Sequence, residues 1–339
     1  MNVRRTLLRA AAAVPATPLF ASPLAAPLAA ALAGLAAPAA AQTGWPTRPV
    51  RLMVGFPPGS TPDMSARALA EPLAKALGQP VVVENRPGAS GNIAADVVAK
   101  ATDDHTLGVV INGNLTSSKQ LYPKLPYDPA RDFSYLSLLT TAPLVLVARA
   151  DAPDGAAFFA AARKDGDRWN YGSVGVGSVG HLGAEWLKSR SGDFKAVHVP
   201  FPGNPQVVTA LVGGDIQFAL VPPGIALPQA RAGKLKAIGL TSGRSSLAPD
   251  IPPLADAGLK DFDLEVWTAL LGPASLSKAA RDRLAAEVPA ILRMPEVRQR
   301  LFNAGWQPVG TSPDGLKRRV EAEAKILGGI IAARGIKLQ

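Results

Sequence analysis

Three closely spaced glycines are the first residues of this sequence whose spacing suggests chemistry. In YGSVGVGSVGHL, residues 171–182, Gly175, Gly177 and Gly180 form the pattern G-x-G-x-x-G, which is typical of a turn that binds a dinucleotide. Such a turn needs an Asp or Glu at the end of the next strand to hold the ribose. The next predicted strand, AVHVPF, contains no acid, and Asp193 precedes it. The pattern therefore does not favour a nicotinamide or flavin enzyme, and we expect no cofactor.

The same turn could instead hold a small anion. Glycines allow a ligand to approach the backbone closely, and the helix that follows offers unpaired N–H groups and the positive end of its dipole. Ser178 could cap this helix or donate its hydroxyl to the ligand. The alternative is a well-capped helix whose end is solvated, and the residues alone leave both interpretations open.

Catalysis and metal binding have few residues to use. The 339-residue chain has no cysteine and three histidines, and no two histidines have the spacing of a metal-ligand pair. Ser178 does not form the nucleophile pattern G-x-S-x-G, because Val176 replaces the first glycine. Asp63 could act as a general base, but an acid in the first turn of a helix also interacts favourably with the helix dipole. We therefore predict neither catalytic residues nor a metal site.

A second glycine-rich turn could hold the other end of a ligand. The apolar run PVRLMVGF, residues 49–56, predicts a strand buried on both faces, and FPPGSTPD leads from it into a helix. Thr61 is a suitable N-cap and Pro62 a suitable first helical residue, whereas Pro72 should kink or split the helix. The helix starts after Thr61 and Ser178 would face each other, so one end of a dicarboxylate or keto acid could lie at each.

Alternating strands and helices predict the fold class. The unit repeats as PVVVENRPGASGN, the helix NIAADVVAKA and the strand HTLGVVIN, which ends at NGNLTSS. This alternation predicts a mostly parallel α/β sheet, in which ligands bind beyond the carboxyl ends of the strands. We expect FPPGSTPD, RPGASGN and NGNLTSS, the last of which contains Asn114, at that edge.

Two crossing segments divide the predicted fold into two lobes around a cleft. PLVLVARADAP, residues 143–153, leads into a second set of strands and helices, and LEVWTALLGPA, residues 264–274, is predicted to cross back. We predict that lobe I comprises residues 42–144 and 266–339. Lobe II is predicted to comprise residues 145–265.

The N-terminus is typical of an export signal. Arg4, Arg5 and Arg9 precede an Ala/Leu/Pro-rich stretch that ends in small residues, and RRTLLR resembles a twin-arginine motif. A membrane anchor is the alternative, but several prolines interrupt the apolar stretch. We predict that residues 1–41 are a signal peptide and that the protein is periplasmic. The formal charge of +10 is spread along the chain without a Lys/Arg run, so we expect no nucleic-acid partner.

Several segments together resemble the Bug family, the periplasmic substrate-binding proteins of tripartite tricarboxylate transporters. They include FPPGSTPDMSARALA, VVVENRPGASGNIAADVVAKA, WNYGSVGVGSVGHLGAEWLK, LTSGRSSLAPDIPPLADAGL and PEVRQRLFNAGWQPVG, and they keep the family's order from about residue 46 onward. The resemblance implies a two-lobed periplasmic-binding-protein fold that captures small organic anions, often carboxylates, and delivers them to a membrane permease. We expect a monomer. A sensor that presents its ligand to a membrane kinase, or an enzyme on the same scaffold, are the alternatives.

The resemblance also implies which residues bind the ligand. In the family, two loops hold a carboxylate largely through backbone amides and hydroxyls, and neither loop contains Lys or Arg here. To these loops we add Asn114 from its expected position at the sheet edge. The implied residues are Phe56, Pro57, Pro58, Gly59, Ser60, Thr61 and Asp63 in the first loop and Ser173, Gly175, Gly177, Ser178 and His181 in the second.

Two departures from the family pattern bear on the ligand. The family's HVPYKG is HVPFPG here, so Phe201 and Pro202 replace a phenol and an ammonium. An acid that the family often carries near the cleft is missing, since Leu220 and Val221 stand in its place. These departures indicate a less polar carboxylate in preference to an amino acid.

Overall fold

The computed structural model describes residues 44–337, which form two β-sheets flanked by helices. The two lobes expected from the sequence are therefore present. The predicted signal peptide, residues 1–41, lies outside the described residues. Among the described helices, none combines the length and the apolar character that crossing a membrane requires.

Most strands lie close to their predicted positions, but the segments 133–143 and 307–308 were not predicted as strands. In chain order they are β1 (Val50–Val54), β2 (Val81–Asn85), β3 (Thr106–Ile111), β4 (Phe133–Pro143), β5 (Val145–Arg149), β6 (Asn170–Ser173), β7 (Val197–Pro200), β8 (Phe218–Val221), β9 (Leu235–Leu240), β10 (Glu265–Pro273) and β11 (Gln307–Pro308).

Both sheets are mixed, so the prediction of a mostly parallel sheet was wrong. The first lobe has the strand order β11-β4-β10-β3-β1-β2 and the second has β7-β6-β8-β5-β9. Strands β1, β2 and β3 are mutually parallel, as are β6, β7 and β8. The strands next to the crossings, β4, β5, β9 and β10, pair antiparallel with their neighbours. The parallel strands are the ones whose following turns meet at one edge of each sheet.

The helices follow the predicted order, apart from two short ones within residues 112–121 that were not predicted. They are α1 (Thr61–Leu77), α2 (Asn92–Ala99), α3 (Asn112–Leu115), α4 (Ser118–Leu121), α5 (Gly155–Asp165), α6 (Val179–Arg190), α7 (Asn204–Gly213), α8 (Pro223–Arg231), α9 (Lys278–Arg293), α10 (Pro295–Asn303) and α11 (Pro313–Arg334).

Helix α1 differs from its prediction at both of its prolines. Ser60 is the N-cap, one residue earlier than expected, so Pro62 is the second helical residue. Pro72 does not split the helix, which continues to Leu77. Leu69 and Leu73, on either side of Pro72, are buried in the core. Burial of this apolar face outweighs the poor helical propensity of one proline.

The two crossings are bonded to each other at Thr241. Only Leu144 separates β4 from β5, and residues 241–264 connect β9 to β10. The fully buried Thr241 hydroxyl accepts a hydrogen bond from Leu144 N at 2.9 Å and donates one to Leu264 O at 2.7 Å. The backbone of Thr241 also bonds both residues, at 2.9 Å each. The lobes are therefore joined by two adjacent, fastened segments.

Candidate functional site

A cavity of about 530 Å³ lies between the lobes, at the carboxyl ends of parallel strands from both sheets. The first lobe contributes the turns after β1 and β2, and the second contributes the turns after β6 and β7. No charged side chain lies among the described residues that line it. These residues are Gly55, Phe56, Pro87, Gly88, Ala89, Ser90, Gly91, Tyr122, Val174, Gly175, Val176, Pro200, Phe201 and Pro202.

Close backbone packing shapes the first-lobe wall. Phe56 is buried, and its ring lies so near Gly91 that a Cβ there would come 2.6 Å from the ring atom Cε2. In the turn directly before Gly91, Ala89 and Ser90 have φ values of 47° and 55°, which L-residues rarely adopt. This conformation brings the Ser90 hydroxyl against the second lobe.

The glycine pattern exists because other parts of the protein approach its backbone. Gly175 has φ +117°, and a Cβ there would come 2.1 Å from Ser90 Oγ of the first lobe. Gly177 has φ +84°, and its Cβ would come 2.8 Å from Leu121 Cδ1, also of the first lobe. A Cβ at Gly180 would come 2.9 Å from a carbonyl oxygen of β8. The first two glycines thus permit contact between the lobes, and the third permits close packing of α6 on its sheet.

Among the described residues, three hydrogen bonds join the lobes beside the cavity. Each pairs a side chain of one lobe with an atom of the other. They are Ser117 Oγ to Gly177 O at 2.6 Å, Tyr122 OH to Val176 O at 3.3 Å, and Asn204 Nδ2 to Thr61 Oγ1 at 3.3 Å.

The N-terminus of α1 carries an unpaired buried hydroxyl. Ser60 is 2% exposed, and its Oγ has no hydrogen-bond partner among the described residues. The side chain does not cap the helix, although Ser60 occupies the N-cap position. The first N–H groups of a helix also lack intrahelical acceptors. This end of α1 therefore presents hydrogen-bond donors without acceptors, an arrangement that suits an anion.

Asp63 holds the turn before α1 in place. Its carboxylate accepts hydrogen bonds from Gly59 N at 2.9 Å and Asn85 Nδ2 at 2.8 Å and pairs with Arg67 Nε at 3.0 Å. Burial acts to raise the pKa of Asp63, but these donors hold it below its usual value. The carboxylate is thus already bonded to other groups of the protein. Pro58 and Gly59, in the same turn, are exposed to solvent.

Ser178 caps α6, which is one of the two roles that the sequence left open. Its Oγ accepts from His181 N at 3.3 Å and donates to Gly175 O at 2.8 Å. The His181 ring in turn accepts from Gly177 N at 3.2 Å through Nδ1. Both side chains therefore fix the glycine turn from within its own lobe.

Two stacked histidines lie beneath this turn. The ring centroids of His181 and His198 are 4.0 Å apart, and His198 Nε2 is 2.7 Å from Ser173 Oγ. Burial lowers the pKa of His181 to about 4, and burial together with the neighbouring His181 lowers the pKa of His198 to about 3. Both rings are therefore neutral at neutral pH. Residues 44–337 contain no cluster of three or more His, Asp or Glu side chains arranged to hold a metal.

Asn114 acts on the cavity through the turn that contains Ser90. Its Nδ2 donates to Ser90 O at 3.0 Å and to Asn92 Oδ1 at 2.8 Å, and its Oδ1 accepts from Ile111 N at 3.3 Å. With 1% exposure, Asn114 is a buried support for the first-lobe wall.

The predicted loops reach one cavity, but their helix ends contact different parts of the opposite lobe. Phe56 and Gly175 both line the cavity, whereas Ser60, Thr61 and Ser178 are not among its described lining residues. The start of α1 contacts Asn204, at the start of α7, whereas the glycine turn contacts Ser90 and Tyr122. The sequence placed the turn that contains Ser90 at the correct edge of the sheet, but it gave no reason to select Ser90, Tyr122 or Asn204. The position of a turn after a strand was the only sequence feature that pointed to this edge.

A larger cavity of about 560 Å³ lies within the first lobe. Lys119, Arg281 and Lys317 line it, but acids line it too, and Lys119 pairs with Asp128 at 2.7 Å. The cavity receives nothing from the second lobe. Closure of the lobes would therefore not affect this cavity, although basic side chains line it.

Comparison with known proteins identifies the family. Residues 65–336 match the family model described as tripartite tricarboxylate transporter family receptor. BugT of Bordetella pertussis is 32% identical over 303 residues, which cover 87% of this chain and 92% of BugT.

Solved structures show the same fold. MatC from Rhodopseudomonas palustris, solved with bound malate, is 33% identical to this chain and superposes with a TM-score of 0.79. The match covers 85% of this chain and 100% of MatC. Rpa4515 from the same organism, with adipate, is 30% identical, with a TM-score of 0.81 and coverages of 87% and 100%. This chain belongs to the tripartite tricarboxylate transporter receptor family, a family of periplasmic solute-binding proteins and not of enzymes.

Proposed function

We propose that this protein binds a small organic carboxylate in the cavity between its lobes and delivers it to the membrane subunits of a tripartite tricarboxylate-type transporter. We further propose that it acts as a monomer and that the lobes divide after residues 144 and 265, where the crossings lie. Family membership supports this function, as do the malate and adipate bound to two solved relatives.

The observation that carries the proposal is the unpaired hydroxyl of Ser60. A buried hydroxyl without a partner is unfavourable by about 1–3 kcal/mol, so its presence at the start of a 17-residue helix calls for an acceptor. The next residue, Thr61, contacts Asn204 of the other lobe. A carboxylate at this point would accept from Ser60 Oγ and from the first N–H groups of α1, and closure would shield these bonds from water.

Neutral donors suit a protein that must release its ligand. No charged side chain is among the described residues that line the cavity, so the anion would be held by hydroxyls, N–H groups and the helix dipole. Release requires the lobes to separate by a hinge motion about the two crossings that Thr241 fastens. Opening would break the three hydrogen bonds beside the cavity.

A panel of carboxylates, each paired with its uncharged primary amide, tests the proposal. We expect at least one acid to raise the melting temperature of the signal-free protein and to bind with a Kd of about 1 μM, near −8 kcal/mol, with the amide at least tenfold weaker. Mass spectrometry of molecules that copurify with the protein would extend the panel. If no acid binds, or if acids and amides bind equally, carboxylate capture is excluded.

Delivery needs its own test. Purified, ligand-loaded protein should stimulate ligand uptake by vesicles that contain the membrane subunits of a tripartite transporter. Free ligand at the same concentration, without the protein, should not stimulate uptake. Equal uptake with and without the protein would contradict delivery.

The proposed monomer is tested by light scattering at working concentration. We expect the mass of one chain, and the mass of a dimer would contradict the proposal.

A further inference from the structure

The wall of the interlobe cavity is apolar on both sides. Phe56 and Pro87 contribute from the first lobe, and Val174, Val176, Phe201 and Pro202 contribute from the second. The polar side chains among the described lining residues are two hydroxyls, those of Ser90 and Tyr122, and these bond to each other at 3.0 Å. Apart from the backbone of the glycine-rich turns, the body of a bound ligand would therefore meet mostly hydrocarbon.

Two of the three aromatic rings of this wall, those of Phe56 and Phe201, are packed from behind. The Phe56 ring is held against Gly91, as described above. Phe201 lies over strand β6, where a Cβ at Gly172 would come 3.2 Å from its ring atom Cε2. Val174 and Val176 also pack against the buried core of the protein. Because these groups are packed from behind, the wall presents their apolar side chains to a ligand.

We propose that the ligand has a hydrocarbon body, aliphatic or aromatic, which lies between Phe56 and Phe201, and that the cavity discriminates against hydroxylated acids. This inference rests on the proposed function and specifies its ligand class. Burial of CH₂ and aromatic surface is favourable, whereas a ligand hydroxyl loses its hydrogen bonds to water and finds few replacements. The cavity volume of about 530 Å³ lies within the usual range for small-molecule sites.

Acids that differ only in hydroxyl groups test this preference. Suitable pairs are succinate with malate, adipate with galactarate, and phenylacetate with mandelate, each measured by calorimetry. In the pair with the tightest binder, we expect the unhydroxylated acid to bind at least tenfold more tightly, which corresponds to about 1.4 kcal/mol.

Variants of the wall show whether the preference arises in this cavity. Val176→Thr keeps the shape of the side chain and adds a hydroxyl, so the preference for the unhydroxylated acid should fall by about threefold to tenfold. Val212→Thr, on the exposed surface of α7 (46% exposed), is the matched control and should leave the preference within twofold. Phe201→Tyr, with the exposed Phe302→Tyr as control, repeats the comparison if Val176→Thr does not fold.

The outcomes separate this inference from the proposed function. Binding of acids with equal or greater affinity for the hydroxylated partner would overturn the hydrocarbon preference and leave carboxylate capture intact. A preference that persists unchanged in the folded wall variant would assign the preference to another site and also overturn the inference. If no acid binds, both proposals fail together.

Discussion

Ser60 gives the sharpest test of the site, because removal of its hydroxyl should weaken binding without lowering the stability of the protein. Without a ligand, Ser60 Oγ is buried and has no hydrogen-bond partner among the described residues. With a ligand, the same atom is proposed to donate to a carboxylate. The substitution Ser60→Ala deletes this one atom and leaves the backbone of α1 in place.

The magnitudes follow from the contacts. A serine at an N-cap is usually worth about 1 kcal/mol over alanine, but Ser60 makes no side-chain capping bond, so this loss should not occur. Removal of an unpaired buried hydroxyl should instead leave the free energy of unfolding unchanged or raise it by up to about 1 kcal/mol. With an unfolding entropy of about 0.6 kcal/mol/K for a chain of this length, the melting temperature would rise by at most about 2 °C. Loss of a hydrogen bond to a charged acceptor should weaken binding by about 1.5–3 kcal/mol, at least tenfold in Kd.

Two other N-cap serines serve as controls. Ser178 and Ser312 each accept a capping bond, from His181 N and Gly315 N respectively, so alanine at either should lower stability by about 1 kcal/mol. Ser312→Ala, at the start of α11, should not change Kd. Stability is measured by thermal unfolding without ligand, and affinity by calorimetry with the best acid of the panel. A Ser60→Ala variant that loses stability like Ser178→Ala but keeps its affinity would refute the reasoning.

Further predictions concern closure, the crossings and pH. Gly177→Ala should raise Kd at least tenfold and abolish ligand-induced compaction in small-angle scattering, because its Cβ would meet Leu121; unchanged compaction would contradict this. Thr241→Val should lower the free energy of unfolding in urea by about 2–3 kcal/mol, because it leaves bonded partners at both crossings without the hydroxyl; a loss below about 0.5 kcal/mol would show that the hydroxyl does not fasten them. His181 and His198 have pKa values lowered to about 4 and about 3 by burial, whereas the unfolded chain takes up these protons near pH 6.5. Stability should therefore be full above about pH 7 and fall as the pH drops below about 6.5, by about 3 kcal/mol at pH 5.5; equal urea midpoints at pH 7.5 and 5.5 would contradict the buried neutral pair.

Much of the fold follows from local sequence patterns. Apolar runs bounded by turn residues mark strands such as β1 and β3, and β3 is buried at all six positions. Local patterns do not predict the direction in which a strand pairs, because direction depends on which segments of the chain become neighbours in the sheet. The local pattern of LEVWTALLGPA therefore predicted β10 but not its antiparallel pairing with β3 and β4. The interruption expected at Pro72 failed for a similar reason, since burial on both sides of that residue is a property of the folded protein.

The candidate site could be located from sequence, but its contacts could not. Glycine-rich turns after parallel strands indicated the correct edge of each sheet. The need for glycine at position 175 comes from Ser90, 85 positions earlier in the chain and in the other lobe, and no local pattern contains that information. Likewise, the free hydroxyl of Ser60 and the bonded hydroxyl of Ser178 have the same local setting, a serine before a helix, and differ only in their three-dimensional neighbours.

The most direct test of the central claim is a crystal structure of the protein with a brominated analogue of its tightest-binding acid, located by anomalous scattering. We expect the bromine peak in the cavity between Phe56 and Phe201, with the carboxylate within about 2.7–3.2 Å of Ser60 Oγ. A bromine peak in the first-lobe cavity beside Arg281 and Lys317, or a carboxylate directed away from the start of α1, would contradict it.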